Sequence, residues 1–220
     1  MSKGADKIIQ SLAWCPLKPK PNEDDLSKFC VIATSIGKVK LIDTSKNRIL
    51  WQEALDNDRI VFDVDWNVNG VLAIAPTGSV ALLKKFNRST KKMESLAEIQ
   101  THSSVRSCQF NPHKPHLLAL GLFNGKIMIY DSEKLVVSQV LNCCEARVVC
   151  LQWHPQFEYI LAAGSFDTVV RVFDTKSEGI KALQFHTDRV RSLQWNHEFP
   201  WLLTTGADDS YVAVWDIRSK

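Results

Sequence analysis

Five stretches of the chain carry the same alternation of apolar and polar positions, each closed by an aromatic residue. These anchors are Trp14, Trp66, Phe110, Trp153 and Trp195, at spacings of 52, 44, 43 and 42 residues. Five positions before each anchor stands Ile9, Val61, Val105, Val148 or Val190, and two before it stands Leu12, Val64, Cys108, Leu151 or Leu193. Apolar side chains at these positions, with mostly polar residues between them, mark a strand with one face turned inward; it is called a here. Beyond the anchor comes a turn, with Pro16, Pro112 or Pro155 two residues on in three copies, and then a second apolar run b: FCVIAT, VLAIA, LLALG, ILAAG and WLLTTG. After a tight turn follows a third run c: KVKLID, SVALL, KIMIYD, VVRVFD and YVAVWD. A fourth, more mixed run d (RILWQEAL, KLVVSQVL, GIKALQF) reads as an outer strand paired on one side and partly wet.

Each unit is therefore expected to be a four-stranded antiparallel meander. A sheet apolar on both faces cannot bury itself, and stacking such sheets around an axis leaves only short edges, so the fold class expected is an all-β propeller. The predicted units are residues 7–57, 58–100, 101–143, 144–185 and 186–220. In the last three copies, 20 residues separate the anchor from the aromatic near the end of c: Tyr130, Phe173 and Trp215. The first copy is longer, with 28 residues from Trp14 to Ile42, and its excess PLKPKPNEDDLSK reads as an insertion loop between a and b. The second is shorter, with 17 residues from Trp66 to Leu83, which implies a trimmed connection over residues 67–70. The fifth has no candidate for strand d.

Composition narrows the classes without naming a partner. The 220 residues are 45% hydrophobic and 23% charged, a globular balance, and 27 Lys and Arg against 24 Asp and Glu leave a charge of only +3. No apolar stretch reaches the roughly 20 residues that span a bilayer, and the start MSKGADK lacks the apolar core of a secretory signal. Membrane insertion is not expected, and the expected compartment is the cytoplasm or nucleus. The six cysteines form no CxxC pair and no ligand spacing with histidine, so neither metal nor cofactor is expected and the thiols read as reduced. Adjacent Cys143 and Cys144 read as small apolar residues at a strand end rather than as a vicinal disulfide.

The last copy, HTDRVRSLQWNHEFPWLLTTGADDSYVAVWD, resembles the WD repeat of β-propeller proteins. It has a His before a, small residues and Gly after b, an Asp in the next turn and a closing Trp-Asp. The resemblance covers nearly the whole chain, strongly in the last three copies and weakly in the first two. It implies a structural hydrogen-bond tetrad of His186, Thr205, Asp209 and Trp215, complete in this copy alone. Position by position, the fourth copy offers Asp167 with Phe173 and Ala163, and the third offers His102 with Asn124 and Tyr130. The resemblance further implies a ring of seven blades, so five units without a final outer strand read as part of a longer WD-repeat protein whose remaining polypeptide closes the ring. A closed five-bladed ring is the alternative. The phrase RSLQWNHEFPWLL is also similar to segments of large WD-repeat proteins with tandem propellers.

The same resemblance implies a non-catalytic scaffold that holds protein or peptide partners, within a multiprotein complex, at the loops of one rim. Positions just before a and in the b-to-c turn face that rim: Ser104 and Phe123, Arg147 and Phe166, and Thr187, Arg189 and Asp208. Exposed Phe beside Arg makes an interface hot spot; the plainer reading has both Phe side chains packed under neighbouring loops. A second functional reading is nucleic-acid binding by the basic run KKFNRSTKK, where Lys84, Lys85, Arg88, Lys91 and Lys92 would hold phosphates and Phe86 would stack on a base. Solvated hairpin loops have the same composition. With no nucleophile elbow and no phosphate-binding glycine pattern, no catalytic residue is assigned.

Overall fold

A computed structural model describes residues 8–17, 26–55 and 59–219. The described residues form five antiparallel sheets, each running in sequence order, and one helical turn at Leu26–Lys28. Sheet 1 contains β1 (Ile9–Trp14), β2 (Phe29–Thr34), β3 (Lys38–Asp43) and β4 (Arg48–Ala54). Sheet 2 contains β5 (Val61–Trp66), β6 (Val71–Pro76), β7 (Val80–Asn87) and β8 (Lys92–Gln100). Sheet 3 contains β9 (Val105–Phe110), β10 (Leu117–Leu122), β11 (Lys126–Asp131) and β12 (Val136–Asn142). Sheet 4 contains β13 (Val148–Trp153), β14 (Ile160–Ser165), β15 (Val170–Asp174) and β16 (Gly179–Leu183). Sheet 5 has three strands, β17 (Val190–Trp195), β18 (Leu202–Ala207) and β19 (Val212–Asp216). Every expected a strand is present with its aromatic as last residue. The expected insertion loop falls largely on residues 18–25, and the termini of the first unit on residues 7 and 56–57, all outside the described residues.

The chain divides into two compact units, Met1–Cys108 and Gln109–Lys220. In the first, β5 packs on β1 and β2, and Val61, Val64 and Trp66 join Ala13, Val31 and Val39 in one core. Asp63, on the opposite side of β5 from these, binds the neighbouring strands. Its carboxylate accepts from Ser11 Oγ at 2.7 Å, Ser107 Oγ at 3.1 Å and the Cys108 N–H at 2.9 Å. Burial nevertheless pushes its carboxyl above the ordinary range, because these three donors and the Val64 N–H only partly replace lost water. On β1 the pattern fails: Ile9, Leu12 and Trp14, expected inward, are exposed, Trp14 at 55%. In sheets 2, 4 and 5 the corresponding strand packs on the preceding sheet, and β1 has none before it among the described residues.

In the second unit the stacking is specified by hydrogen bonds as well as by apolar area. β13 packs on β10, and β17 on β13 and β14. The residue before each anchor is glutamine, and the first two of the three clamp the next anchor. Gln109 accepts the Trp153 N–H on Oε1 at 2.5 Å and the indole N–H on its carbonyl at 3.1 Å. Gln152 repeats both bonds to Trp195, at 2.5 and 3.1 Å. Val170 and Val172, opposite Gly164 and Ala162, are buried beneath sheet 5. Their register equivalents Val212 and Val214, opposite Gly206 and Thr204, are 71% and 64% exposed, and Gln194 is exposed beside them.

Turns are capped from the strand ends. The Asp closing c accepts N–H groups of the following turn: Asp43 from Ser45 and Lys46, Asp131 from Glu133 and Lys134, Asp174 from Lys176 and Ser177, with Asn87 doing the same for Ser89 and Thr90. The residue after the anchor caps the a-to-b turn. Asn111 Oδ1 accepts from His113 and Lys114 while its Nδ2 donates to the Glu158 carbonyl of sheet 4's turn at 2.8 Å. His154 does the same work: Nδ1 accepts from Gln156 and Phe157, and Nε2 donates to Pro200 O at 2.8 Å. At Gly125, with φ of +78°, any Cβ would overlap the Cys144 carbonyl oxygen.

Two predictions follow from these junctions. Gln152→Ala leaves the buried Trp195 N–H without an acceptor and is expected to cost about 1–3 kcal/mol in urea unfolding. Burial, opposed by the Pro200 bond and reinforced by the charge of His113, holds the His154 imidazole below its usual range. The unfolded state then binds a proton that the folded state resists, so stability is full above about pH 6.5 and declines as pH falls. His154→Asn, which installs the residue used at Asn111, is expected to remove most of the drop in unfolding midpoint between pH 7.5 and 5.5.

Candidate functional site

The rim residues of sheets 3 to 5 come together in the second unit because two backbone bonds repeat. The Phe166 N–H donates to Arg147 O at 3.0 Å, and the Asp208 N–H donates to Arg189 O at 3.0 Å. Each bond sets a b-to-c turn residue beside the residue leading into a. Rings and guanidiniums then alternate from copy to copy. The Arg147 guanidinium carbon lies 4.5 Å from the Phe123 ring centre and 5.6 Å from that of Phe166, and those of Arg189 and Arg191 lie 4.8 and 5.1 Å from Phe166. Each such contact contributes about 0.5–1 kcal/mol at an exposed site. Both Phe side chains are half-buried under arginines, and the three arginines are exposed. The ladder is thus both packed and presented.

Arg191 and Asp208 close its far end. Arg191 donates from Nε and Nη2 to both Asp208 oxygens at 2.6–2.8 Å, and this guanidinium holds the Asp208 carboxyl below its ordinary range. Asp208, expected at the partner-facing rim, is paired with Arg191 within the fold. Arg191 had no place among the sequence candidates; its polar position within RVRSLQW, directed away from the core, was the available signal. Thr187 is exposed, and its N–H is engaged by Asp209. Ser104 belongs to the first unit, where its hydroxyl accepts the Gly78 N–H at 3.2 Å.

Below the rim the four tetrad residues are bonded in series. His186 Nδ1 meets Asp209 Oδ2 at 2.9 Å, its Nε2 meets Thr205 Oγ1 at 2.8 Å, and the Trp215 indole N–H donates to the same Oγ1 at 2.8 Å. Burial pushes the Asp209 carboxyl up, but the N–H groups of Tyr211 and Thr187, with His186, outweigh it and hold it low. These polar atoms are spent on one another, and the His186 and Asp209 side chains are almost wholly buried. In sheet 4, Asp167 pairs instead with Arg171 at 2.7 Å.

The basic run is not one loop. Lys84 and Lys85 lie in β7, and Lys92 opens β8, leaving residues 88–91 as the turn. Lys84 is 5% exposed and donates to both Glu53 oxygens at 2.7 Å and to Ser95 Oγ at 3.2 Å. A buried ammonium demands a carboxylate, and sheet 1 provides one 31 residues away in sequence. Phe86 is buried edge-on to Trp66 and Phe29, so no base can stack on it. Lys85 donates to Asn69 O at 2.5 Å. Arg88, Lys91 and Lys92 remain at the turn. The groove beside Lys84, of about 430 Å³ and lined by Glu53, Arg59, Ser95 and Glu98, carries both signs of charge.

All six cysteines are free, with Cys144 Sγ 3.0 Å from both Ala146 O and Ser165 Oγ. Among the described residues, no group of three or more His, Cys, Asp or Glu is placed to hold a metal ion, and no helix is long and apolar enough to cross a membrane.

Comparison with known proteins agrees with the repeat geometry. Residues 93–131, 136–174 and 177–216 match the family described as WD domain, G-beta repeat. Each match begins in or near a d strand and ends at the Asp closing the next c. The chain is 28% identical to the WD repeat-containing protein slp1 of Schizosaccharomyces pombe over 67% of its length and 29% of that protein's. It is 25% identical to a diphthine methyltransferase homolog of Dictyostelium discoideum over 56% of the chain and 37% of that protein. It is 29% identical to the protein transport protein SEC31 of Coccidioides immitis over 76% of the chain and 15% of that protein. The chain therefore spans well under half the length of each of these relatives.

Thr205→Val deletes the one oxygen shared by His186 and Trp215. The indole N–H loses its acceptor and the buried His186 Nε2 loses its hydroxyl partner, so urea unfolding is expected to register a loss of about 2–4 kcal/mol, while substitutions in the rim ladder shift it far less.

Proposed function

The chain belongs to the WD domain, G-beta repeat family, and from that membership we propose that it is a non-catalytic scaffold that binds a protein or peptide partner at the rim formed by Phe123, Arg147, Phe166, Arg189 and Arg191. WD-repeat proteins are generally scaffolds for protein interactions. The observation that carries the reading here is the alternating ladder of rings and guanidiniums, open to solvent and braced by backbone bonds. Aromatics and arginines contribute most of the energy at interfaces, and pre-packed ones lose little entropy on binding.

The non-enzymatic part of the reading rests on how the polar groups are used. His186, Asp209 and Thr205 satisfy one another beneath the rim and leave no base aimed at solvent. One relative's name contains methyltransferase, but a quarter identity over part of the chain carries no activity across. The nucleic-acid alternative has less support, because Lys84 and Phe86 are taken up by the fold. Exposed Val212, Val214 and Gln194 support a further partner, another WD-type sheet from the rest of the same polypeptide, seated as sheet 5 sits on sheet 4. Free thiols support a reducing compartment, cytoplasm or nucleus.

The test is capture of cellular proteins on the immobilised chain, with Phe123→Ala/Phe166→Ala beside the parent. The captured set is expected to lose members in the double variant at unchanged unfolding midpoint. An unchanged set removes the rim from the reading.

A further inference from the structure

Three guanidinium groups surround the ring of Phe166, and only one is held by a carboxylate at ion-pair distance. Arg191 is matched by Asp208 through both carboxylate oxygens. Among the described residues, no carboxylate lies within ion-pair distance of Arg147 or Arg189. Both are exposed, and both lie within 5.6 Å of the same ring centre. A guanidinium resting on a ring uses its face; its five N–H donors lie in its plane and stay free for oxygen acceptors. The stacks also hold the planar groups, so less rotamer freedom is lost when an anion docks. Like charges gathered at one ring repel, and an anion placed between them is the arrangement that relieves the repulsion.

We infer that Arg147 and Arg189 are a receptor for the anionic side chains of an extended partner peptide, carboxylate or phosphoryl, with Phe123 and Phe166 as its apolar floor. The inference rests on the rim reading and adds the chemistry of the partner. A peptide fits better than a nucleic acid. Guanidiniums already occupy the faces of Phe123 and Phe166, leaving no platform for bases, and two free cations flanked by the carboxylate of Asp208 do not form a track for a phosphate backbone.

Fluorescence anisotropy with labelled hexapeptides tests this directly. The probes are hexaglutamate, a hexaserine bearing two phosphoserines, hexaglutamine, and an oligouridine of ten nucleotides. At low ionic strength at least one anionic peptide is expected to bind tenfold or more tighter than hexaglutamine, and to weaken as salt rises. Its affinity is expected to fall about tenfold or more in Arg147→Gln/Arg189→Gln. Arg88→Gln/Lys91→Gln/Lys92→Gln, in the other basic turn, is expected to leave it unchanged. The better of the two anionic peptides identifies the group as carboxylate or phosphoryl. Equal binding of charged and neutral peptides, or binding indifferent to the arginine pair, overturns the inference. So does an oligouridine that binds more tightly than either anionic peptide and is lost with the same pair. Partner capture that is lost in Phe123→Ala/Phe166→Ala but kept in Arg147→Gln/Arg189→Gln leaves the rim reading standing and removes the anionic partner.

Discussion

What the rest of the structure depends on is the junction between one sheet and the next. A four-stranded meander with apolar residues on both faces gains little by folding alone, since half its apolar area stays wet. In sheets 2, 4 and 5 the first strand resolves this by laying its anchor aromatic on the preceding sheet. In the second unit the glutamine clamp fixes that placement to the residue: the anchor's N–H and indole N–H both find acceptors on Gln109 or Gln152. Apolar burial alone is non-directional, and the clamp adds the register. Where no clamp exists the difference is visible, since the buried indole nitrogen of Trp66 has no hydrogen-bond partner.

Much of the fold was legible because a two-residue period closed by an aromatic is a strong strand signal, and five copies in the same phase leave little freedom. All five a strands, and the Asp closing c in the first, third, fourth and fifth copies with a turn after it, sit where the pattern put them. The failures have a common cause: sequence reports what a residue is, and its neighbour across a sheet junction is hidden. Lys84 read as a loop cation because its partner Glu53 lies on another sheet. Ile9, Leu12 and Trp14 matched the inward pattern, but inward has meaning only where a preceding sheet covers the face. Glutamine recurring one residue before the anchor, at positions 109, 152 and 194, and Asn or His one residue after it were readable repeats that the apolar pattern overshadowed.

The candidate site follows from the same junctions. Stacking sheet on sheet brings the rim position of one copy beside that of the next, so Phe123 reaches Arg147 and Phe166 reaches Arg189 although the first pair lies 24 positions apart and the second 23. The tetrad locks His186 and Asp209 beneath the rim of sheet 5, and Asp209 in turn holds the Thr187 N–H at its edge. Sequence alone named four of the five ladder residues; the fifth, Arg191, stands at a polar position of its strand, and only the fold brings its side chain to Asp208.

Amide hydrogen exchange followed by NMR reads the junctions most directly. The N–H groups of Trp153 and Trp195 point out of their own sheets to glutamine oxygens of the preceding ones, so they are expected to exchange as slowly as the central-strand amides of Leu161 and Leu203. Rapid exchange at both, with the central strands still protected, would mean that the sheets fold without being held to one another and would contradict the structure described.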